Sequence, residues 1–530
     1  LNSSSLTLQA WDDIFVFDEI TMGGGDLALH AGYDALNSQF RGAGNYDVHI
    51  DDVIQTNGGD LDVVAANLFD VGSNADINTG SGAAHFNVNT ANLGNDIVSG
   101  NITGTASVVN VKNNNAEIQD GLDIATSGAT VNVASGTFVE NLDITKSVNL
   151  RGNYAGVNPN DGTDPFAPNT ARDPAQETIL RPDPSAETVD GAGNPTGDID
   201  FAGIYVNNAD NVTIDGFTLE GTNTTYDIKV LVDGSNNTSI QNNIVRDGNS
   251  GLFLTNFGGG ATAGNLVQNN RILDIDFEGI VAGENSYTDI IGNTIDNTSG
   301  GITVDTFWIP NPGAGSMDVS NNSIRAYDNG IRSNLIMTGN TDIEIKNNDI
   351  FAQVAGSTDT WHGIEIISQT GGADTLFTNN TIDGSALDGS GILSGGYVAM
   401  RNVTSGNVLI DGGTVDSVDY GLWASDGNFF SGEVSGLKIQ NVAFNDINEA
   451  GILIEDVEAD TNLPGITSGT SLRVGTGNSF GGTTPYDLVL AGDDITIDLV
   501  DGFSGFNSVF VKAAGFAALE SNRINPATDD

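Results

Sequence analysis

The chain has 530 residues, more than one ordinary compact core holds, so several domains or a repeat architecture are expected. Seventy acidic residues against 17 basic ones give a formal net charge of -53. That charge disfavours nucleic acid, anionic membranes and polyanionic substrates, attracts divalent cations and suits a salty medium. Apolar residues at 38% with 69 glycines argue against disorder, and no cysteine is present for disulfides or thiolate metal sites. No apolar run reaches the 18 or so residues of a membrane-spanning helix, so no membrane insertion is expected.

In chain order, residues 1–114 carry a degenerate repeat. Asp13 to Ala31 recurs as Asp47 to Ala65, with Ile20 matching Ile54 and Gly24-Gly25-Asp26-Leu27 matching Gly58-Gly59-Asp60-Leu61. A weaker copy runs from Phe69 to Val88. Residues 115–202 open with a segment that places Ile118, Leu122 and Ala125 on one face of a short helix. Strand-like stretches Ala129–Val133, Gly136–Val139, Leu142–Ile144 and Val148–Leu150 follow. Residues 154–198 hold seven of the twelve prolines and are expected to leave the stack as one loop, since proline cannot donate to an interior ladder.

Residues 203–480 carry the regular repeat. Ile214-Asp215-Gly216, Ile240-Gln241-Asn242-Asn243, Val267-Gln268-Asn269-Asn270, Ile290-Ile291-Gly292-Asn293 and Val319-Ser320-Asn321-Asn322 align. So do Ile345-Lys346-Asn347-Asn348, Phe377-Thr378-Asn379-Asn380, Ile410-Asp411-Gly412-Gly413 and Ile439-Gln440-Asn441, at a period of 23 to 33 residues. A Gly-aliphatic pair recurs later in the copies, as in Gly279-Ile280, Gly301-Ile302, Gly330-Ile331, Gly421-Leu422 and Gly451-Ile452. An apolar-x-apolar triplet is one short strand with a single inward face, and Gly or Asn supplies the left-handed residue that turns the chain. One such turn cannot bury its inner face alone; stacked turns can. The reading is an all-β, right-handed parallel β-helix solenoid, with Asn residues laddering at the bend. At about 27 residues per turn this gives roughly 20 turns and a rod of about 95 Å, from a strand spacing of ~4.8 Å. Residues 481–530 read as terminal, less regular turns. The first residues, Leu1 to Ser5, and the last, Asp529-Asp530, read as cuts within a longer exported polypeptide.

Residues 116–151 resemble the opening of pectin-lyase-like parallel β-helix proteins, which implies a short helix over the end of the stack. The third region is similar to the right-handed β-helix repeats of bacterial surface proteins, and residues 13–88 resemble filamentous-haemagglutinin-type adhesin repeats. The resemblance spans most of the chain and implies a fold. Its function is open, because such families include lyases, hydrolases, epimerases and non-catalytic adhesins.

The polygalacturonase-type motif set is incomplete: Asn340-Thr341-Asp342 occurs, Gly-His-Gly does not, and Asp493-Asp494 lies many turns away. Arg172 and Arg181 match no lyase motif, and the Asp-Pro-His-Glu motif of alginate epimerases is absent. His30, His49, His85 and His362 are too scattered for a zinc site. Calcium is the one cofactor the acidity suggests, with Asp51, Asp52, Asp60, Asp62, Asp493 and Asp494 as candidate oxygen ligands. Trp308, Trp361 and Trp423 fall near the Gly-aliphatic corner and are candidate sugar-stacking rings, provided they are exposed. The expectation is a non-catalytic structural or adhesive segment at a bacterial cell surface, assembling with itself into filaments or contacting extracellular glycans. A polysaccharide lyase or hydrolase and a glycan-binding module are the alternatives.

Overall fold

The computed structural model describes residues 4–512 except positions 38, 42–43, 161, 184–201, 222–227, 257–260, 284–285, 306–315, 337–341, 355–359, 371–373, 401–407, 426–433, 456–469, 492–494 and 501–504. Two units are formed, one of Leu1–Asp161 with Pro168–Arg246, the other of Gly162–Ala167 with Asp247–Asp530. Each is a right-handed parallel β-helix, in which short strands pair in parallel with their counterparts one turn away.

In the first unit the internal repeat is the pairing register. Ile20 lies beside Ile54 and Leu27 beside Leu61, one 34-residue period apart, and Ala84 then stacks on Leu61. The helix Ile118–Ile124 buries Ile118, Leu122 and Ile124, and Gly121 lets its backbone approach Val109, Val111 and Val131. It does not cover an end of the stack, as the resemblance implied. Strand Ala106–Val111 before it pairs directly with strand Ala125–Val133 after it, Val109 beside Val131 and Asn110 beside Asn132, so the helix is an insert between adjacent turns. Its ends are satisfied from another turn. Glu140 accepts from the amides of Ile118 and Gln119, and Lys146 donates to the carbonyls of Asp123 and Ala125.

The proline-rich stretch is likewise not one excursion. Thr178–Arg181, free of proline and alternating in burial, is a rung that pairs with Gly136–Val139 and with Thr218 and Leu219. The stretch before it is anchored by Arg172, whose guanidinium binds both oxygens of buried Glu177 and donates to the carbonyl of Asn242 at 2.8 Å. Arg181 pairs with Glu220 at 2.7 Å. Both arginines are engaged in holding turns together.

In the second unit the aligned triplets stack as read: Val267 beside Ile290, then Val319, Ile345, Phe377, Ile410, Ile439 and Val474, all buried. The turn position after each triplet is left-handed, at Asn269, Asn321, Asn347, Asn379 and Asn441 with φ of 52 to 57° and at Gly292 and Gly412 with φ of 67 and 75°. Asn is among the few side-chain-bearing residues that take this conformation readily. The residue that follows performs a different task. Asn293 Oδ1 accepts from the backbone and side-chain N–H of Asn270, and Asn322, Asn348 and Asn380 repeat the contact at 2.9 to 3.1 Å. Each Nδ2 also donates at 2.9 Å to a carbonyl of the neighbouring turn, those of Val267, Ile290, Val319 and Ile345. Asn322→Ala therefore orphans the amide of Asn293 and the carbonyl of Ile290, and at ~1–3 kcal/mol per buried group it is expected to cost about 2–4 kcal/mol in denaturant unfolding. Asn110→Ala, on the partly exposed ladder Asn92–Asn110–Asn132, is expected to cost under about 1 kcal/mol.

Candidate functional site

The second unit builds one wall from eight paired strands, Arg271–Gly283, Thr294–Asp305, Ser323–Ile336, Thr360–Thr370, Leu393–Met400, Tyr420–Ser425, Ala450–Glu455 and Tyr486–Ala491. Ile280, Ile302, Ile331, Ile364, Tyr397, Leu422, Ile452 and Leu488 form its inner column. Side chains alternate along a strand, so the next residue of each rung faces the opposite side. That outer column reads Val281, Thr303, Arg332, Glu365, Val398, Trp423, Leu453 and Val489. Beside it run Glu278, Gly300, Asn329, His362, Gly395, Tyr420, Ala450 and Tyr486.

Charge gathers at one end of this face. Arg332 Nε donates to Glu365 Oε2 at 2.6 Å, and His362 Nδ1 lies 3.6 Å from Glu365 Oε1. Thr303 donates to Glu278 Oε2 at 3.1 Å, and Gly300 has no side chain where the Glu278 carboxyl lies. Glu278 and Glu365 are 7% and 5% exposed, whereas the Arg332 side chain is 34% exposed. Burial pushes Glu278 toward its protonated form despite Arg332 and Thr303, and pushes Asp328 the same way. Burial would raise Glu365 too, but His362 and Arg332 outweigh it and hold that carboxyl down to about 2. Two carboxyls whose proton affinities are pushed in opposite directions thus share one strip. Three rungs from Arg332, Tyr420 and Trp423 lie 5.5 Å apart, Trp423 is edge-on to His362 at 6.5 Å, and Trp423 Nε1 donates to Glu455 at 3.1 Å.

The tryptophans are not a shared platform. Trp361 is fully buried, its Nε1 bonded to the carbonyl of Ala326 at 3.1 Å, so it offers no face to a sugar. Its rung partner is Ser394, whereas Trp423 pairs with Val398, so the two rings occupy different columns. The Gly-aliphatic spacing hides this because Trp361 precedes the glycine and Trp423 follows the aliphatic residue. Trp423 is half-buried. Trp308 lies outside the described residues, as do Asn340, Thr341, Asp493, Asp494, Asp529 and Asp530, and Asp342 begins a strand. The repeat alignment does not single out Glu278, Arg332 and Glu365; the available signal, for Arg332 and Glu365, is a charged residue at a position that is mostly apolar in other copies.

The aspartates proposed for calcium are employed singly. Asp60 accepts from the amide of Ala83 at 2.8 Å, Asp62 meets His30 at 2.9 Å, and Asp52 accepts from the amide of Val53 at 2.8 Å. Asp51 is exposed beside Gly72. Among the described residues the acidic groups that converge are instead Asp96, Glu117 and Asp120 in the first unit, with ligand atoms within 4.8 Å of one another. Desolvation, with the charges of Asp96 and Glu117, pushes Asp120 up to about 8 although the amide of Ile97 bonds to it. Nearby Glu140 is pushed up to about 7, again chiefly by burial.

Residues 193–362 match the family described as periplasmic copper-binding protein (NosD). That stretch contains one histidine, two methionines and no cysteine. Met317 is buried, Met337 lies outside the described residues and His362 faces Glu365, so this donor set does not fit a copper site. No curated protein matches the chain. Among solved structures it is similar to the catalytic domain of a GH87 α-1,3-glucanase in complex with nigerose, at 14% identity over 75% of this chain and 68% of that one, TM-score 0.37. The Family 28 exopolygalacturonase of Yersinia enterocolitica is similar at 14% identity over 73% and 75%, TM-score 0.32. The A-module of a mannuronan C-5 epimerase of Azotobacter vinelandii is similar at 11% identity over 93% and 91%, TM-score 0.21.

Trp361→Ala is expected to lower unfolding free energy by about 3–5 kcal/mol, the usual cost of truncating a buried Trp. Asp120 and Glu140 keep their protons in the folded state above the pH at which the unfolded chain loses them. The stability they lend is complete below about pH 4 and is lost as pH rises through 7 to 8. Asp120→Asn is expected to raise the midpoint of thermal unfolding at pH 8 more than at pH 5; an equal change at both would contradict the assignment.

Proposed function

We propose that the chain is an exported, non-catalytic β-helix segment that adheres to glycans through the outer strip of its second unit. The observation that carries this reading is the group Glu278, Asp328, Arg332, His362 and Glu365 beside Tyr420 and Trp423. The same wall elsewhere fills its outer column with Val281, Val398, Leu453 and Val489, so stacking alone asks for no charge there. Hydrogen-bonding groups next to rings suit a polyhydroxylated ligand with apolar faces. Export is supported by the periplasmic description of the matched family and by the charge of -53, which also argues against nucleic acid as a partner.

The test is a glycan microarray probed with the full chain, followed by incubation of the bound glycans and assay for new reducing ends and unsaturated products. Binding without release of either is expected, weakened by Trp423→Ala. Turnover abolished by Glu278→Gln would replace this reading with a hydrolase, and the absence of binding to any glycan would remove it.

A further inference from the structure

The reading above leaves open which glycans are held, and the strip itself separates two chemical classes. Three carboxyls, those of Glu278, Asp328 and Glu365, surround the Arg332 guanidinium, with His362 as the other basic group. The charge of Arg332 is already met in contact by Glu365 at 2.6 Å. An incoming carboxylate would have to compete with Glu365 for Arg332 and would approach a chain of net charge -53.

The hydrogen-bonding capacity of the same group is far from used. A guanidinium has five N–H donors. The bond recorded for Arg332 comes from Nε, its Nη groups have no recorded partner among the described residues, and a third of the side chain is exposed. Glu365, held ionised, accepts beside it. At two glycines of the strip a neighbouring side chain lies over the strand, the Glu278 carboxyl at Gly300 and Val398 at Gly395. Gly300 stands between Glu278 and Asn329 along the column, and Gly395 stands between His362 and Tyr420. A side chain at Gly395 would meet Val398 and approach the ring of Trp423 to 3.9 Å. The strip therefore has a polar side, Arg332 and His362, and a ring side, Tyr420 and Trp423.

We propose that this strip binds neutral saccharides, reading ring hydroxyls through the exposed Arg332 guanidinium and an apolar sugar face through Trp423, and that it rejects uronates. Hydroxyl groups accept from a guanidinium without carrying charge, so they need not displace Glu365 from Arg332. The inference rests on the glycan-binding reading and narrows it.

The experiment is titration calorimetry of the full chain with neutral gluco-, galacto- and manno-oligosaccharides and with oligogalacturonate and oligomannuronate, in EDTA and again with about 1 mM Ca²⁺, the range in which weak extracellular sites fill. Binding of at least one neutral series is expected, at least about tenfold tighter than either uronate in EDTA. Arg332→Lys keeps the charge and removes the planar fork. It is expected to weaken neutral binding about tenfold with the thermal midpoint unchanged. Gly395→Ala, whose methyl would displace Val398 beside the Trp423 ring, is the second variant and is expected to weaken binding as well. Uronates bound as tightly as neutral sugars in EDTA would overturn this inference and leave glycan binding standing. Neutral binding unaffected by both variants would overturn the site, and no binding of either class would remove the underlying reading.

Discussion

Every rung of this protein depends on its neighbours for hydrogen bonds that it cannot supply itself. A three-residue strand has no internal partner for its amides and carbonyls, and each turn bends where a backbone group would be left buried and unpaired. The ladder Asn270–Asn293–Asn322–Asn348–Asn380 answers this at the bend, because an amide side chain both accepts from one turn and donates to another. The left-handed Asn or Gly just before it makes the bend possible. Two adjacent residues thus divide the labour, one fixing geometry and the other satisfying the backbone, and the inner apolar columns follow from the register they set.

That division explains what could be read from sequence. The triplet and Asn-Asn copies gave the rung partners directly, because the same residues that identify the repeat are the ones that touch. Ile20 beside Ile54 and Ile345 beside Phe377 are pairings visible in the primary structure. Two placements were obscured by local composition. Proline density around Thr178–Arg181 outweighed four residues with clear alternation, and the helix Ile118–Ile124 was taken for an end because its amphipathic pattern says nothing about what stacks on either side. The strip was harder still. Glu278, Arg332 and Glu365 are 54 and 33 residues apart, and they share one face only because the varying period keeps the rungs in register, Glu278 two rungs from Arg332 and Arg332 beside Glu365. Repeat analysis finds what recurs, whereas a site is made of what departs from the recurrence.

The acidity, read first as a surface property, also reaches the interior. The first unit shields Asp120 and Glu140 well enough to favour their neutral forms near neutral pH. Glu140 has a structural reason for its burial, since it satisfies the first amides of the helix. Asp120 serves the amide of Ile97, but its approach to Asp96 and Glu117 is an electrostatic liability for which a hydrogen bond is modest recompense.

The Arg332–Glu365 pair raises the same question with a sharper answer. Burying an ion pair costs several kcal/mol per ion in lost hydration, and replacing such a pair with well-packed apolar residues is often neutral or stabilising. This wall shows that replacement on its own neighbouring rungs, where Val398 and Leu453 are fully buried in the position that Arg332 and Glu365 occupy. Stability therefore supplies no reason for charge at those two rungs. The anchoring of one half-exposed guanidinium by a carboxylate beneath it does supply one: it fixes a planar set of donors at the surface without leaving a net positive charge there. A group built in that way is suited to a ligand that offers acceptors and no charge.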